Sequence, residues 1–474
     1  MNKPLKLTEG GLEMNTQCNA QSISFQDQNR RKIIADFTGG AISSDAGCLL
    51  LKEIDNKFKI IHQLAGCFVD YRNQNYCEHT VSQLLAQRIF ALCAGNEDLN
   101  DHDSLRHDKL YSLLAGKESC EELIASKSTL NRLELTPEGA SEKSRYKKIV
   151  AQPEKIEELL VSIFLQSFKK PPKTITIDVD ATDDPLHGNQ EGKFFHGYYQ
   201  NYCYLPLYIT CEGFVLCAKL RPSNIDAADG TVEELNRIIS QIRQQWPDVK
   251  ILIRGDSGFC RAKIFKWCDE NNTDYIFGIA RNNRLENEIK SELAQAECEY
   301  EKTKKRARIF KEFDYQPLKA TWGKERRIIA KAEYLARGPN PRFIVTSLKG
   351  VAKELYEDIY CQRGDMENRI KEQQLDMFAD RTSTQSMRAN QLRLWFSTIA
   401  YTFMHLLRWI GLENTELNKA QCHTIRVKLL KIGAQIKVSV RRIHIAFSEA
   451  FPLKDILRSC ILNIQSWIPI PLLR

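Results

Sequence analysis

The chain has 474 residues, 43% hydrophobic and 27% charged, the balance of a folded water-soluble protein with enough length for about two to four domains. Its net charge of +8 permits a polyanionic partner without demonstrating one. Fifteen scattered cysteines form no CxxC pair, the N-terminus reads as lacking a signal peptide, and the apolar run 394–407 is shorter than the roughly 20 residues of a membrane span. These features argue against a disulfide framework, a zinc ribbon and a membrane role, and a cytoplasmic protein with reduced cysteines is expected.

Residues 1–150 read as mostly helical after an irregular start. SSDAGCLLLKEID (43–55) sets a Ser/Asp cap before an apolar run, and HTVSQLLAQRIFALCAG (79–95) repeats apolar residues at helical spacing until a glycine. The polar stretch NEDLNDHDSLRHD (96–108) precedes two short helical runs, LYSLLAG and KSTLNRLEL, and TPEGASEKSRYKK (136–148) reads as a linker. Strand patterns then take over, in TITIDVD, YCYLPLYIT (202–210) and FVLCAKL (214–220), with Glu-Gly turning between the last two. The amphipathic helix TVEELNRIISQIRQQW, the strand VKILIRGD (249–256), the helix RAKIFKWCDENN and the strand YIFGIA complete a mixed α/β core over 166–280.

Residues 281–349 interrupt that core with a charged helix and three β-like runs, ARIFKEF, RRIIAKAEYLA and RFIVTSL. The pattern returns over 350–412 with a long helix near 353–378 and a buried apolar helix near 391–410. The last stretch, 413–474, is basic: residues 419–444 hold seven Lys/Arg and no acid.

Chemistry concentrates in TITIDVDATDDPLHGNQ (174–190), where Asp178, Asp180, Asp183 and Asp184 crowd together. Strand interiors disfavour Asp, and buried carboxylates are costly unless paired or bound to a metal. Alternation places Asp178 and Asp180 on one face of the strand, opposite Ile175, Ile177 and Val179, with Asp180 at the strand end. Asp256, in IRGDSGF, ends another strand between two glycines. Two strand-end aspartates converging across one sheet make a divalent-metal site that needs a third carboxylate. LYEDIYCQRGDMENRIKEQQLDMF supplies one. At about 100° per residue, Tyr360, Arg363, Glu367 and Lys371 share one helical face, although an i,i+4 salt-bridged surface helix explains the same spacing.

IDVDATD, IRGDSGF and Tyr360-x2-Arg363-x3-Glu367 together resemble the DDE transposases of bacterial insertion sequences, whose core is RNase H-like. The likeness is greatest to the group with a β-rich insertion and a Tyr-x2-Arg-x3-Glu signature. FTGGAISSDAGCLLL, LAQRIFALCAGNEDLNDHDSLRHD, STLNRLE, HGNQEG, LRPSN, ENRIKE and DMFADRTS extend it over about the whole chain. The resemblance implies that Asp180, Asp256 and Glu367 hold two Mg²⁺ or Mn²⁺ ions about 4 Å apart, with Asp178 a second candidate ligand. It further implies hydrolysis at the element's ends and transfer of the freed 3′-OH into target DNA, by a homodimer assembled on terminal inverted repeats. Tyr360 and Arg363 would hold the phosphate backbone, and residues 1–150 would recognise the ends. The signature's lysine is Gln374 here, leaving Lys371 as the cation on that face. Trp322 is a candidate for base stacking and a candidate packing residue. Arg426, Lys428, Lys431, Arg441 and Arg442 are candidates for phosphate contact and equally for an ordinary solvated face. A metal-dependent nuclease of the same fold, or an impaired transposase that only binds DNA, are the alternatives.

Overall fold

The structure is a computed structural model in which residues 22–318 and 321–471 are described. Its centre is a nine-stranded mixed sheet. The strands are β1 (Thr174–Ala181), β2 (Leu207–Cys211), β3 (Phe214–Lys219), β4 (Lys250–Gly255) and β5 (Asp274–Ile279). They continue with β6 (Ala307–Tyr315), β7 (Arg326–Leu335), the two-residue β8 (Gly338–Pro339) and β9 (Arg342–Thr346). The order is β3-β2-β1-β4-β5-β9-β7-β6, with β8 on the end of β7. β1, β4 and β5 run parallel and every other pairing is antiparallel. The three β-like runs of 281–349 therefore lengthen the central sheet through β5–β9 pairing.

The expected strand over 202–210 is two strands. Asn201–Tyr204 pairs into a small three-stranded sheet with Asp184–Pro185 and Phe194–His196, and only Leu207–Cys211 joins the large sheet. Pro206 lies between them, where it can donate no ladder hydrogen bond. The irregular start contains an exposed hairpin, Ile23–Gln28 with Arg31–Ala35, and the polar stretch 96–108 contains a short helix, Asp101–Leu105.

Among the helices are α1 (Val81–Ala94), α2 (Lys127–Glu134), α3 (Thr231–Gln245), α4 (Gly364–Lys371) and α5 (Met387–Leu406). α1 starts at a reciprocal Thr80–Gln83 capping box and stops where Gly95 turns left-handed at φ 93°. α5 is buried from Leu394 to Leu406, which fits its apolar sequence on all sides. The two helices meet through Phe90 and Phe403, edge to face at 5.3 Å, and α5 is tied to β3 by Gln391, which bonds both Ala218 and Leu220. Each large apolar side chain buried this way contributes about 1.5–3 kcal/mol. One apolar core thus runs from Cys48 in the helical region through the sheet to Trp467, and a smaller one, with Ile276, Ile329, Ile344 and Tyr356, fills the space under the helix after β9.

That helical stretch is continuous from Ala352 to Asp376 but not uniform. Wide i→i+5 turns at Leu355–Tyr360 and Glu372–Asp376 flank a tight turn at Cys361–Arg363 and the regular α4. Such wide turns shift the facing of every residue beyond them. Among the described residues, no helix is long and apolar enough to cross a membrane.

Candidate active site

The two central parallel strands carry the acids to one edge. β4 pairs with β1 so that Gly255 lies opposite Val179, and the next residues are Asp256 and Asp180. A methyl on Gly255 would lie 2.8 Å from Val179 Cγ2, so only glycine lets the strands approach here. Asp256 is fixed by its own turn, its Oδ1 accepting from Gly258 N at 2.8 Å. Asp180 Oδ1 accepts from Ala181 N at 3.0 Å. Its carboxyl is pushed up to about 7, chiefly by burial, with the Asp256 and Glu367 charges adding to it while Arg363 opposes them. Asp256 and Glu367 therefore both lie within electrostatic reach of Asp180.

Asp178, two residues earlier on the same face, is differently placed. It is 7% exposed and directly opposite Arg254 of β4, whose Nε and Nη2 donate to its two oxygens at 2.5 and 2.8 Å. Arg254 Nη1 donates onward to the Ile359 carbonyl at 2.5 Å, bracing the helix. Both Asp178 oxygens are engaged by one guanidinium. Burial raises its pKa while Arg254 counters that rise.

The helix brings the rest. Arg363 Nη2 donates to Glu367 Oε1 at 2.6 Å and its Nη1 lies 3.5 Å from Asp180 Oδ2, so one guanidinium bridges two of the acids. Burial works against its charge, yet Asp180 and Glu367 hold its pKa above the ordinary value. Tyr360 packs over β5: a methyl on Gly278 would lie 2.6 Å from the Tyr360 hydroxyl and 3.1 Å from Ser257 N. Burial, then the Asp256 charge among others, raises the Tyr360 pKa against the pull of Arg363. Lys371 is exposed at the end of α4. Gln374 sits in the second wide turn and donates to the Asp183 carbonyl at 3.1 Å, fastening the loop beyond Asp180.

Other expected contacts are distributed elsewhere. Trp322 packs edge-on against Phe265 and Tyr315 at 5.1 and 5.8 Å. Arg426 is buried, donates to the Cys93 and Asp376 carbonyls and lies over Phe378, so it joins the C-terminal region to α1. Lys431 pairs with Asp45 at 2.7 Å. Lys428 is exposed, as are Arg441 and Arg442 on the hairpin Ala434–Ser439/Arg442–Phe447.

The sequence reading missed Arg254, although its place beside Gly255-Asp256 and the alternation of β1 set it opposite Asp178. It also missed Tyr199, whose hydroxyl donates to the Ala181 carbonyl at 3.3 Å beside the acids.

Among the described residues, no three His, Cys, Asp or Glu side chains are grouped closely enough to hold a metal ion. The donor chemistry nevertheless suits a hard divalent cation, which takes carboxylate oxygens, and Arg363 meets two of the three acids here. Glu367, 45% exposed, turns its carboxylate to Arg363.

No curated protein matches the chain. The sequence model of the family described as transposase DDE domain group 1 matches residues 25–468, nearly the whole length, and the chain belongs to that family of DDE transposases.

Proposed function

We propose that this DDE transposase hydrolyses a phosphodiester at each end of an insertion sequence and transfers the freed 3′-OH into target DNA, as a homodimer assembled on the ends. Its central sheet serves as an RNase H-like core, with Asp180, Asp256 and Glu367 as the ligands of two Mg²⁺ or Mn²⁺ ions. The observation that carries the reading is the placement of Asp180 and Asp256 side by side at the ends of two parallel central strands, with Glu367 close enough to act on Asp180. When bound, the ions supply Lewis-acid chemistry to the attacking water and the leaving 3′ oxygen.

The chain's own residues do the positioning. Arg363 releases Glu367 and turns its planar fork to a phosphate oxygen pair, a geometry guanidinium suits better than ammonium. Tyr360, held over Gly278, orients the same backbone through its hydroxyl. The Asp178–Arg254 pair keeps strand and helix together behind the acids, and Gln374 holds the loop beyond Asp180. Arg441, Arg442 and Lys428 add sequence-independent phosphate contacts.

The test is a strand-transfer assay with a pre-nicked duplex bearing the terminal repeat that flanks the coding sequence. The expected product, in Mg²⁺ or Mn²⁺, is that end covalently joined to a target plasmid. Cleavage without joining would make the protein a nuclease; binding with neither reaction would make it a DNA-binding relic.

A further inference from the structure

Away from the acids, between α1, α2 and the segment running from the catalytic helix into α5, lies a partly enclosed cavity of about 480 Å³. Arg88 of α1 and Arg393 of α5 share one acid at its back: their Nε atoms donate to the two oxygens of Glu134 at 2.9 and 2.7 Å. Glu134 is 1% exposed and Arg88 6%, so this is a buried arginine–glutamate–arginine triad with one positive charge in excess. Each guanidinium turns its Nε edge to the acid. Arg393 Nη1 continues to Ser383 Oγ at 2.8 Å, but Arg88 Nη1 is buried with no acceptor among the described residues. A buried cation with an unmatched N–H is costly, and an anion in the cavity would relieve both deficits.

The remaining walls agree. Lys127 and Arg132 of α2 line the mouth, both exposed, Lys127 also pairing with Asp103 at 3.2 Å, and each of the two lining acids has a partner. Glu97 pairs with Arg381 at 2.5 Å, and Asp98 accepts from Asn100. The segment forming one wall is also fastened to the loop beyond Asp180, through Gln190 to the Thr382 carbonyl at 3.2 Å and Glu191 N to the Gln385 carbonyl at 2.8 Å.

We infer that this cavity is a phosphate-binding pocket, in which Arg88 and Arg393, oriented by Glu134, grip one phosphate group and Lys127 and Arg132 guide it in. The source favoured is a backbone phosphate of bound DNA, which rests on the proposed transposition of DNA; free phosphate is the alternative source of the same chemistry.

The experiment titrates a fluorescent duplex against the full chain from 50 to 200 mM salt, for wild type, Arg88→Lys, and the double rim variant Lys127→Gln/Arg132→Gln. Thermal melting with and without millimolar inorganic phosphate runs in parallel. Arg88→Lys keeps a cation for Glu134 but loses the free N–H. It should bind DNA about five- to tenfold more weakly, with the slope of log affinity against log salt reduced by about one, and the rim variant should lose about as much or more. If Arg88→Lys fails to fold, the rim variant, altered only at exposed positions, carries the test. Unchanged affinity and slope, with a phosphate-induced melting shift that only the wild type shows, would assign the pocket to free phosphate and overturn the backbone source. Unchanged binding with no phosphate shift in the wild type would overturn the pocket altogether. A wild type that binds no duplex would instead sink the DNA reading, a result distinct from either.

Discussion

Asp178 and Asp180 stand two residues apart on one face of one strand, yet their surroundings differ in kind. Asp178 meets Arg254 in register, with each carboxylate oxygen matched by an N–H. Asp180 and Asp256 follow the last paired residues, Val179 and Gly255, and Arg363 with the Ala181 N–H offsets the like charge. Asp178 is matched oxygen for oxygen by one guanidinium, whereas Asp180 has one backbone N–H and a share of Arg363, which also serves Glu367. The first, through Arg254, holds the helix to the sheet, and the second stands at the sheet's edge.

The largest expected effect comes from removing the acid across from Asp180. Asp256→Ala should cut divalent-ion-dependent cleavage by about 10³-fold or more while DNA binding persists, as measured by nicking and gel-shift assays on the same preparation; surviving cleavage would show that the metal ligands lie elsewhere. Breaking the framework pair should act on stability instead. Asp178→Ala strands a buried guanidinium and should cost about 3–5 kcal/mol in urea unfolding, and replacing both partners by apolar residues should recover most of it. A loss under about 1 kcal/mol, the scale of an exposed ion pair, would erase the contrast between the two aspartates.

A smaller change sharpens the placement of the helix. Gly278→Ala pushes a methyl at the Tyr360 hydroxyl and should cost about 1–3 kcal/mol, the usual range for overpacking. Tyr360→Phe in the same chain should restore part of that loss, and a double-mutant cycle with no coupling would mean that the hydroxyl does not sit over Gly278. The smallest effect concerns pH. The Asp180 carboxyl is raised from 3.8 to about 7 in the folded chain, so the folded state holds its proton more tightly than the unfolded one. In the presence of a chelator, stability should therefore decline as pH rises from about 4 toward 7, and Asp180→Asn should flatten that decline and raise the melting temperature at pH 8 by about 1–2 °C. Identical pH profiles for the two proteins would place Asp180 among satisfied groups like Asp178.

Several elements were legible because their signals are local. The Thr80–Gln83 box and Gly95 bracket α1, the Glu212-Gly213 turn joins β2 to β3, and the alternation of TITIDVD sets its faces. The long helix after β9 was legible in extent but not in phase, because two wide turns interrupt its 100° repeat. The break at Pro206 was visible in the sequence yet overridden by the apolar run around it. The exposed hairpin at 23–35 carries too little apolar contrast to announce itself.

The site shows the same division. Residue type, strand-end position and resemblance singled out Asp180, Asp256 and Glu367 from the sequence, because carboxylates inside β-strands and beside glycine turns are exceptional locally. Which of two neighbouring aspartates is already paired, where Gln374 reaches, and that Arg426 is interior depend on residues far apart in the chain. Arg254 meets Asp178, Asp183 meets Gln374 and Cys93 meets Arg426. Sequence alone thus determined most strands of the central sheet, the faces of TITIDVD and the acids it carries, since those depend on short-range pattern. Only the tertiary structure decided which charges are neutralised, because neutralisation is set by what the fold brings within hydrogen-bonding distance.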